Sequence, residues 1–160
     1  MKEMRITAIG SIEIEGDATS VVLDKAYIPA LDGLDGFSHV AILWWFDGFD
    51  TPEDRRTVVT PVPYPTRPGD AGVFATRSPR RPNPLALTVA EILAIDHGAG
   101  TIRVGYVDAN PGSPVVDLKP YSPCLDRVAD PAVPEWCAHW PRSLEESADF
   151  DWEGEFGSGQ

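Results

Sequence analysis

Short apolar runs, each stopped by Gly, Pro, Asp or Asn, recur along the chain. Runs of this length and punctuation mark strands; helical apolar positions would return every three or four residues over longer windows. The pattern predicts strands over Arg5–Ile14, Ser20–Leu23, Ser38–Phe46, Ala71–Thr76, Leu85–Asp96, Thr101–Val107 and Pro114–Pro120. In the first, Ile6, Ala8 and Gly10 alternate with Arg5, Thr7 and Ile9 at the period of a half-buried strand, whereas Val40 to Phe46 is apolar on both faces and predicts a central or interface strand. Two stretches are helix-compatible: residues 24–34, with a turn before Gly33, and Pro134 to Glu146, with its proline-led start.

Sixteen prolines and fourteen glycines in 160 residues demand many tight connections, and no crossover helix separates the strands. The predicted fold class is mainly β: a small closed or partly closed antiparallel β-barrel with one or two short helices. The length fits one domain, read as residues 1–146, followed by an acidic, mobile tail over 147–160. For the tail's Phe150, Trp152 and Phe156, packing on a partner and packing back on the body both stay open. Trp44 and Trp45 point to opposite faces of their strand, so one ring faces the interior and the other suits a subunit interface or the core equally well.

The formal charge of −12 repels nucleic acid and anionic membrane over most of the surface. Positive charge is concentrated instead in residues 72–87, GVFATRSPRRPNPLAL. There Ser78-Pro79, Arg81-Pro82 and Asn83-Pro84 each force extended or turn geometry, which stiffens a cationic loop suited to an anion or a polar ligand. Cys124 and Cys137 stand outside any CxxC or Cys/His cluster, and His39, His97 and His139 are scattered, so no metal site is predicted. No apolar window reaches the roughly 18 residues of a membrane span, no leader pattern opens the chain, and both thiols are expected reduced in the cytoplasm. GxGxxG, GxxxxGK[ST], GxSxG and HExxH are absent.

A second polar constellation, NPGSPVVDLKPY over 110–121, opens on a turn and continues as a strand. Asp117, Lys119 and Tyr121 fall at i, i+2 and i+4, so a regular strand gives an acid, a base and a phenol one common face.

Three segments together resemble the signature blocks of the TsaA-like (TrmO-type) family: DGLDGFSHVAILWWFD (32–47), GVFATRSPRRPNPLALTVAEI (72–92) and DANPGSPVVDLKPYSP (108–123). Their order and spacing match, and the resemblance covers roughly residues 5 to 127. It implies a small β-barrel, S-adenosylmethionine as methyl donor, a homodimer with the donor site near its interface, and N6-methylation of threonylcarbamoyladenosine at tRNA position 37. The donor-binding positions it assigns are Phe46, Asp47, Arg77, Leu87, Pro111, Gly112, Ser113 and Pro114. Two departures stand out. Asp47 occupies a position usually held by His, and residues 11–30 are shorter than in the family and lack its Pro-Arg-Gln segment, so one wall of the donor pocket is missing or rebuilt.

Methyl transfer to an amide-like N6 needs in-line positioning and a modest base. Asp117 and Tyr121 are the candidates for proton acceptance or acceptor orientation, with Lys119 holding an anionic group. Arg80, Arg81 and Asn83 are the candidates for acceptor binding, with phosphate contact by the two arginines. A tRNA partner fits poorly with the net charge. The alternatives are a dimeric module that binds S-adenosylmethionine or a nucleotide without acting on RNA, and a methyltransferase for a small metabolite.

Overall fold

A computed structural model of the chain describes residues 4–67 and 69–156. It separates into two units: Met1–Arg56 with Pro79–Arg127, and Thr57–Ser78 with Val128–Gln160. No helix among the described residues is long and apolar enough to cross a membrane.

In the first unit, strands β1 (Gly10–Glu15), β2 (Ala18–Leu23), β3 (His39–Trp45), β6 (Leu85–Asp96), β7 (Thr101–Val104) and β8 (Ser113–Pro120) close a barrel. The order around it is β1-β2-β7-β6-β3-β8, every pair is antiparallel, and β1 returns to β8. Ile12, Val21, Val40, Ile42, Ile102 and Val115 fill the interior with no exposed surface. Each such aliphatic side chain contributes about 1.5–3 kcal/mol by leaving water. Both flanks of β3 are occupied, by β6 and β8, and its residues alternate buried and half-buried as expected of a central strand. Trp44 lies in the core and donates its indole N–H to Thr88 Oγ1 at 3.0 Å, while Trp45 on the other face donates to Asp50 Oδ2 at 3.4 Å.

The first strand begins at Gly10 instead of Arg5. β2 ends at Leu23, opposite Gly10, so residues 5–8 have no neighbouring backbone on that side to bond. Gly10 itself sits at the closing seam, paired with Leu23 on one side and Val115 on the other. A methyl group there would run into the Val22 carbonyl oxygen.

Two bulges adjust the ladder. One lies in β8, where Trp44 faces Val115 but Leu43 faces Asp117, leaving Val116 as the extra residue. The other lies in β6, between the Ile92–Val104 and Ala94–Arg103 pairs. Residues 24–34 carry the expected turn, as a 3-10 helix over Lys25–Leu31 that buries Leu31 against one end of the barrel.

The second unit holds a short hairpin, β4 (Val59–Pro61) with β5 (Asp70–Gly72). The strand expected over 71–76 stops at Gly72 and turns into a 3-10 helix over Val73–Ala75. Beyond the Val59–Gly72 pair the antiparallel register calls on residues 58 to 55, which lead back into the 3-10 turn Asp54–Arg56, so the ladder cannot extend. The helix expected over 134–146 is broken by a proline of its own. Pro141 would sit in its interior, and what forms is a 3-10 turn, Glu135–Cys137, then α2 (Leu144–Ala148), capped by the Ser143 side chain accepting from Glu146 N. The preceding short helix, α1 (Pro123–Asp126), belongs to the barrel unit, and α3 spans Trp152–Glu155.

An aromatic cluster joins this unit's segments. Tyr64 stacks on Trp136 and Phe156 at 5.4 and 5.6 Å, and Trp140 packs edge-on to Trp136 and Trp152. Burial pushes the Tyr64 phenol above its usual range. Glu155 fastens the cluster by accepting from His139 Nε2 and from Trp140 Nε1, both at 2.9 Å. The bond from His139, and next that from Trp140, holds its carboxyl below the usual glutamate range.

Two outcomes follow from these packing features. Gly10→Ala should lower barrel stability by about 1–3 kcal/mol in denaturant unfolding, because the clash is with backbone on a seam that cannot move independently. A depressed carboxyl contributes stability that is complete above its ordinary value of 4.5 and lost as pH falls through the lower folded value. Tryptophan fluorescence should therefore hold steady from pH 7 to 5 and change below about 4.5, and Glu155→Gln should remove that acid-side transition.

Candidate functional site

Three segments of the barrel unit meet at one end of the barrel. The end of β3 reaches Phe46, whose N–H donates to Pro84 O at 2.9 Å and whose ring packs edge-on to Trp44 at 4.8 Å. Pro84 leads directly into β6, where Leu87 lies opposite Leu43, pointing outward and 50% exposed. The turn before β8 completes the group. Asn110 Nδ2 donates to Asp47 O at 3.5 Å, Ser113 N to Asn110 O at 3.1 Å and Gly112 N to Ile12 O at 2.7 Å. Gly112 has φ of 83°, which a side chain would resist, and open space where a Cβ would stand, so the backbone here can be approached closely.

Ser113 is fully buried, and its hydroxyl is the one buried side-chain polar atom without a hydrogen-bond partner among the described residues. Pro114, next along, lies opposite Ser11.

The remaining candidates lie further along β8 and in the proline loop. Beyond the bulge, Asp117 and Lys119 face outward, with Lys119 Nζ 2.7 Å from Asp117 Oδ2. That bond, and the carboxylate's charge, raise the Lys119 ammonium above its usual range. Tyr121 follows the strand, donating its N–H to His39 O at 3.0 Å, with its ring 6.2 Å from the imidazole. Leu43 is opposite Leu87 on one side and Asp117 on the other, so a single row of side chains connects the two groups across three strands. In the loop, Arg80 Nε lies 3.3 Å from Asp54 Oδ1, and Asn83 Oδ1 accepts from Arg55 Nη2 at 3.3 Å. Arg81 lies between them in sequence, in the same unit, whereas Arg77 belongs to the second unit.

No local pattern singles out Asp54 and Arg55. Their run, TPEDRRT, reads as ordinary surface charge, and only the fold brings it against the loop 27 residues later. A cavity of about 310 Å³ at the far end of β8 was equally invisible. Ile9, Leu23, Leu31 and Phe37 give it apolar walls, and Asp32 and Asp117 also line it.

The profile of the tRNA-methyltransferase O N-terminal domain family matches residues 7–127. The chain belongs to this family. An S-adenosyl-L-methionine-binding protein of Archaeoglobus fulgidus is 39% identical over 113 residues, covering 70% of this chain and 76% of its own length. The tRNA (adenine(37)-N6)-methyltransferase of Escherichia coli is 39% identical over 106 residues, of which this chain spans 43% of the length. A crystal structure of TrmO superposes with a TM-score of 0.66 at 28% identity, over 82% of this chain and 64% of the other. All three segments that meet at the barrel end fall inside the tRNA-methyltransferase O N-terminal domain match, which ends at Arg127 with the barrel unit.

An unpaired buried hydroxyl costs about 1–3 kcal/mol. Ser113→Ala should accordingly raise the thermal midpoint of the ligand-free protein, in contrast to the loss expected of most core substitutions.

Proposed function

We propose that the protein is an S-adenosylmethionine-dependent methyltransferase acting on N6 of threonylcarbamoyladenosine at tRNA position 37, as a cytoplasmic homodimer. The convergence at the barrel end carries the reading: Phe46, Asp47 and Pro111 to Pro114 come from separate blocks of the sequence, yet Asn110 links them by donating to Asp47 O and accepting from Ser113 N. Residues of this kind suit the donor. The open backbone at Gly112 can take its polar ends, the Ser113 hydroxyl has bonding capacity to spare, and Leu87 and Phe46 offer apolar surface for an adenine ring.

When bound, S-adenosylmethionine supplies an electrophilic methyl group on a sulfonium centre. The chain's own task is to bind, orient and take up a proton. Asp117 or Tyr121 accepts the N6 proton, Lys119 holds an anionic group of the acceptor, and Arg80 and Arg81 contact phosphate. The half-exposed Leu87 and the half-buried Ala41, Leu43 and Val89 make the outer face of β3 and β6 apolar, in keeping with a subunit interface.

A second reading has one observation in its favour. The Asp117 Oδ2 already accepts a hydrogen bond from Lys119 Nζ at 2.7 Å, as suits a module that binds the donor without transferring its methyl group.

Calorimetry with S-adenosylmethionine and S-adenosylhomocysteine, followed by transfer to tRNA lacking the N6-methyl group, separates the two. Binding with salt-sensitive transfer is expected, and Asp117→Asn should slow transfer about a hundredfold while leaving S-adenosylhomocysteine binding unchanged. Binding without transfer to any RNA supports the second reading, and no binding to either ligand removes both. Transfer at the wild-type rate by folded Asp117→Asn would take Asp117 out of the mechanism.

A further inference from the structure

Arg55 lies in the 3-10 turn Asp54–Arg56, outside every segment that the family resemblance assigned to the donor. Its Nε donates to Pro82 O at 3.0 Å and its Nη2 to Asn83 Oδ1 at 3.3 Å, and its guanidinium lies over the Trp45 ring at 5.8 Å from the centroid. Asp54, with a side chain only 15% exposed, pairs with Arg80 and accepts from Thr51 Oγ1 at 2.6 Å. Two consecutive residues thus hold the loop at Arg80, Pro82 and Asn83. The residue that follows, Pro84, accepts the Phe46 N–H and leads into the strand that carries Leu87.

We propose that Arg55 is a positioning residue that fixes the Pro82–Pro84 segment against the end of β3 and so sets the spacing between Phe46 and Leu87 on the two sides of the donor site. This rests on the donor reading above. Proline restricts the loop's internal shape but cannot attach it to anything. Attachment needs a side chain that reaches a main-chain carbonyl and an amide oxygen together while its cation stays over an indole. A guanidinium fork has that geometry and a lysine ammonium does not. Arg56 provides the contrast. Its partner is Glu53, and both side chains are largely exposed, so its ion pair contributes little.

The test compares Arg55→Ala, Arg55→Lys and Arg56→Ala with the wild type. It measures amide hydrogen exchange at Phe46 and Ile42 and the calorimetric affinity for S-adenosylhomocysteine. In Arg55→Ala, exchange at Phe46 should quicken and affinity fall, each about tenfold, with exchange at Ile42 in the barrel interior unchanged. Arg55→Lys should restore neither fully, and Arg56→Ala should match the wild type in both. A wild type that binds S-adenosylhomocysteine, with Arg55→Ala binding equally well, overturns the role of Arg55 alone. Weaker binding in Arg55→Ala without faster Phe46 exchange also overturns it, since the effect would not pass through the loop. A wild type that binds neither S-adenosylhomocysteine nor, in the calorimetry above, S-adenosylmethionine removes the methyltransferase reading and this one with it.

Discussion

Closure of the barrel is the constraint on which the other features depend. An open sheet leaves a row of unpaired N–H and C=O groups at each edge, and six strands escape that only by returning to the first. β1 makes the return. It pairs with β2 along all six of its residues and with β8 over the three from Gly10 to Ile12. That second pairing covers only Ser113 to Val115 of β8, β3 takes over from Val115 onward, and the leading turn of β8 is held near the end of β3. The contact between Asn110 and Asp47 follows from this arrangement.

Local chemistry decides how much of this was visible beforehand. β6 could be read to its ends because Pro84 and the Asp96–Gly98 turn bound it on both sides. β3 could be recognised as central because no polar residue lies between Val40 and Trp45. The overestimates have separate origins: at 71–76 the partner segment gives way to the 3-10 turn Asp54–Arg56, and at 134–146 Pro141 interrupts a helix-compatible composition. At the site, the turn and the proline loop announced themselves through glycine and proline. Arg55 did not, because its role comes from contacts 27 and 28 residues away in sequence. The orphaned hydroxyl of Ser113 was hidden likewise, since no pattern distinguishes an unpaired serine from a paired one.

The acidic character of the chain acquires a local meaning in the barrel unit. Arg80 is paired with Asp54, and Lys119 with Asp117, so cations near the site come with their own carboxylates. Such pairs hold side chains in fixed directions more than they add stability, because exposed ion pairs are worth little. Shape is gained at the cost of field strength, which is a reasonable exchange for a site whose chemistry depends on alignment.

The extra residue in β8 bears on how the strand tolerates change in length. Ser113, Val115, Asp117 and Lys119 have the same parity in sequence, yet the first two face the interior and the last two face out, with Leu118 turned inward against the core. Val116 makes that inversion. Loss of this one residue would leave both halves of the strand in phase, whereas a deletion on either side of it, with the bulge retained, would carry a charged side chain towards the aliphatic interior or a core residue out of it. Among length variants of this barrel, the bulge is therefore the place in β8 where a single residue can come or go without reversing which side chains meet water.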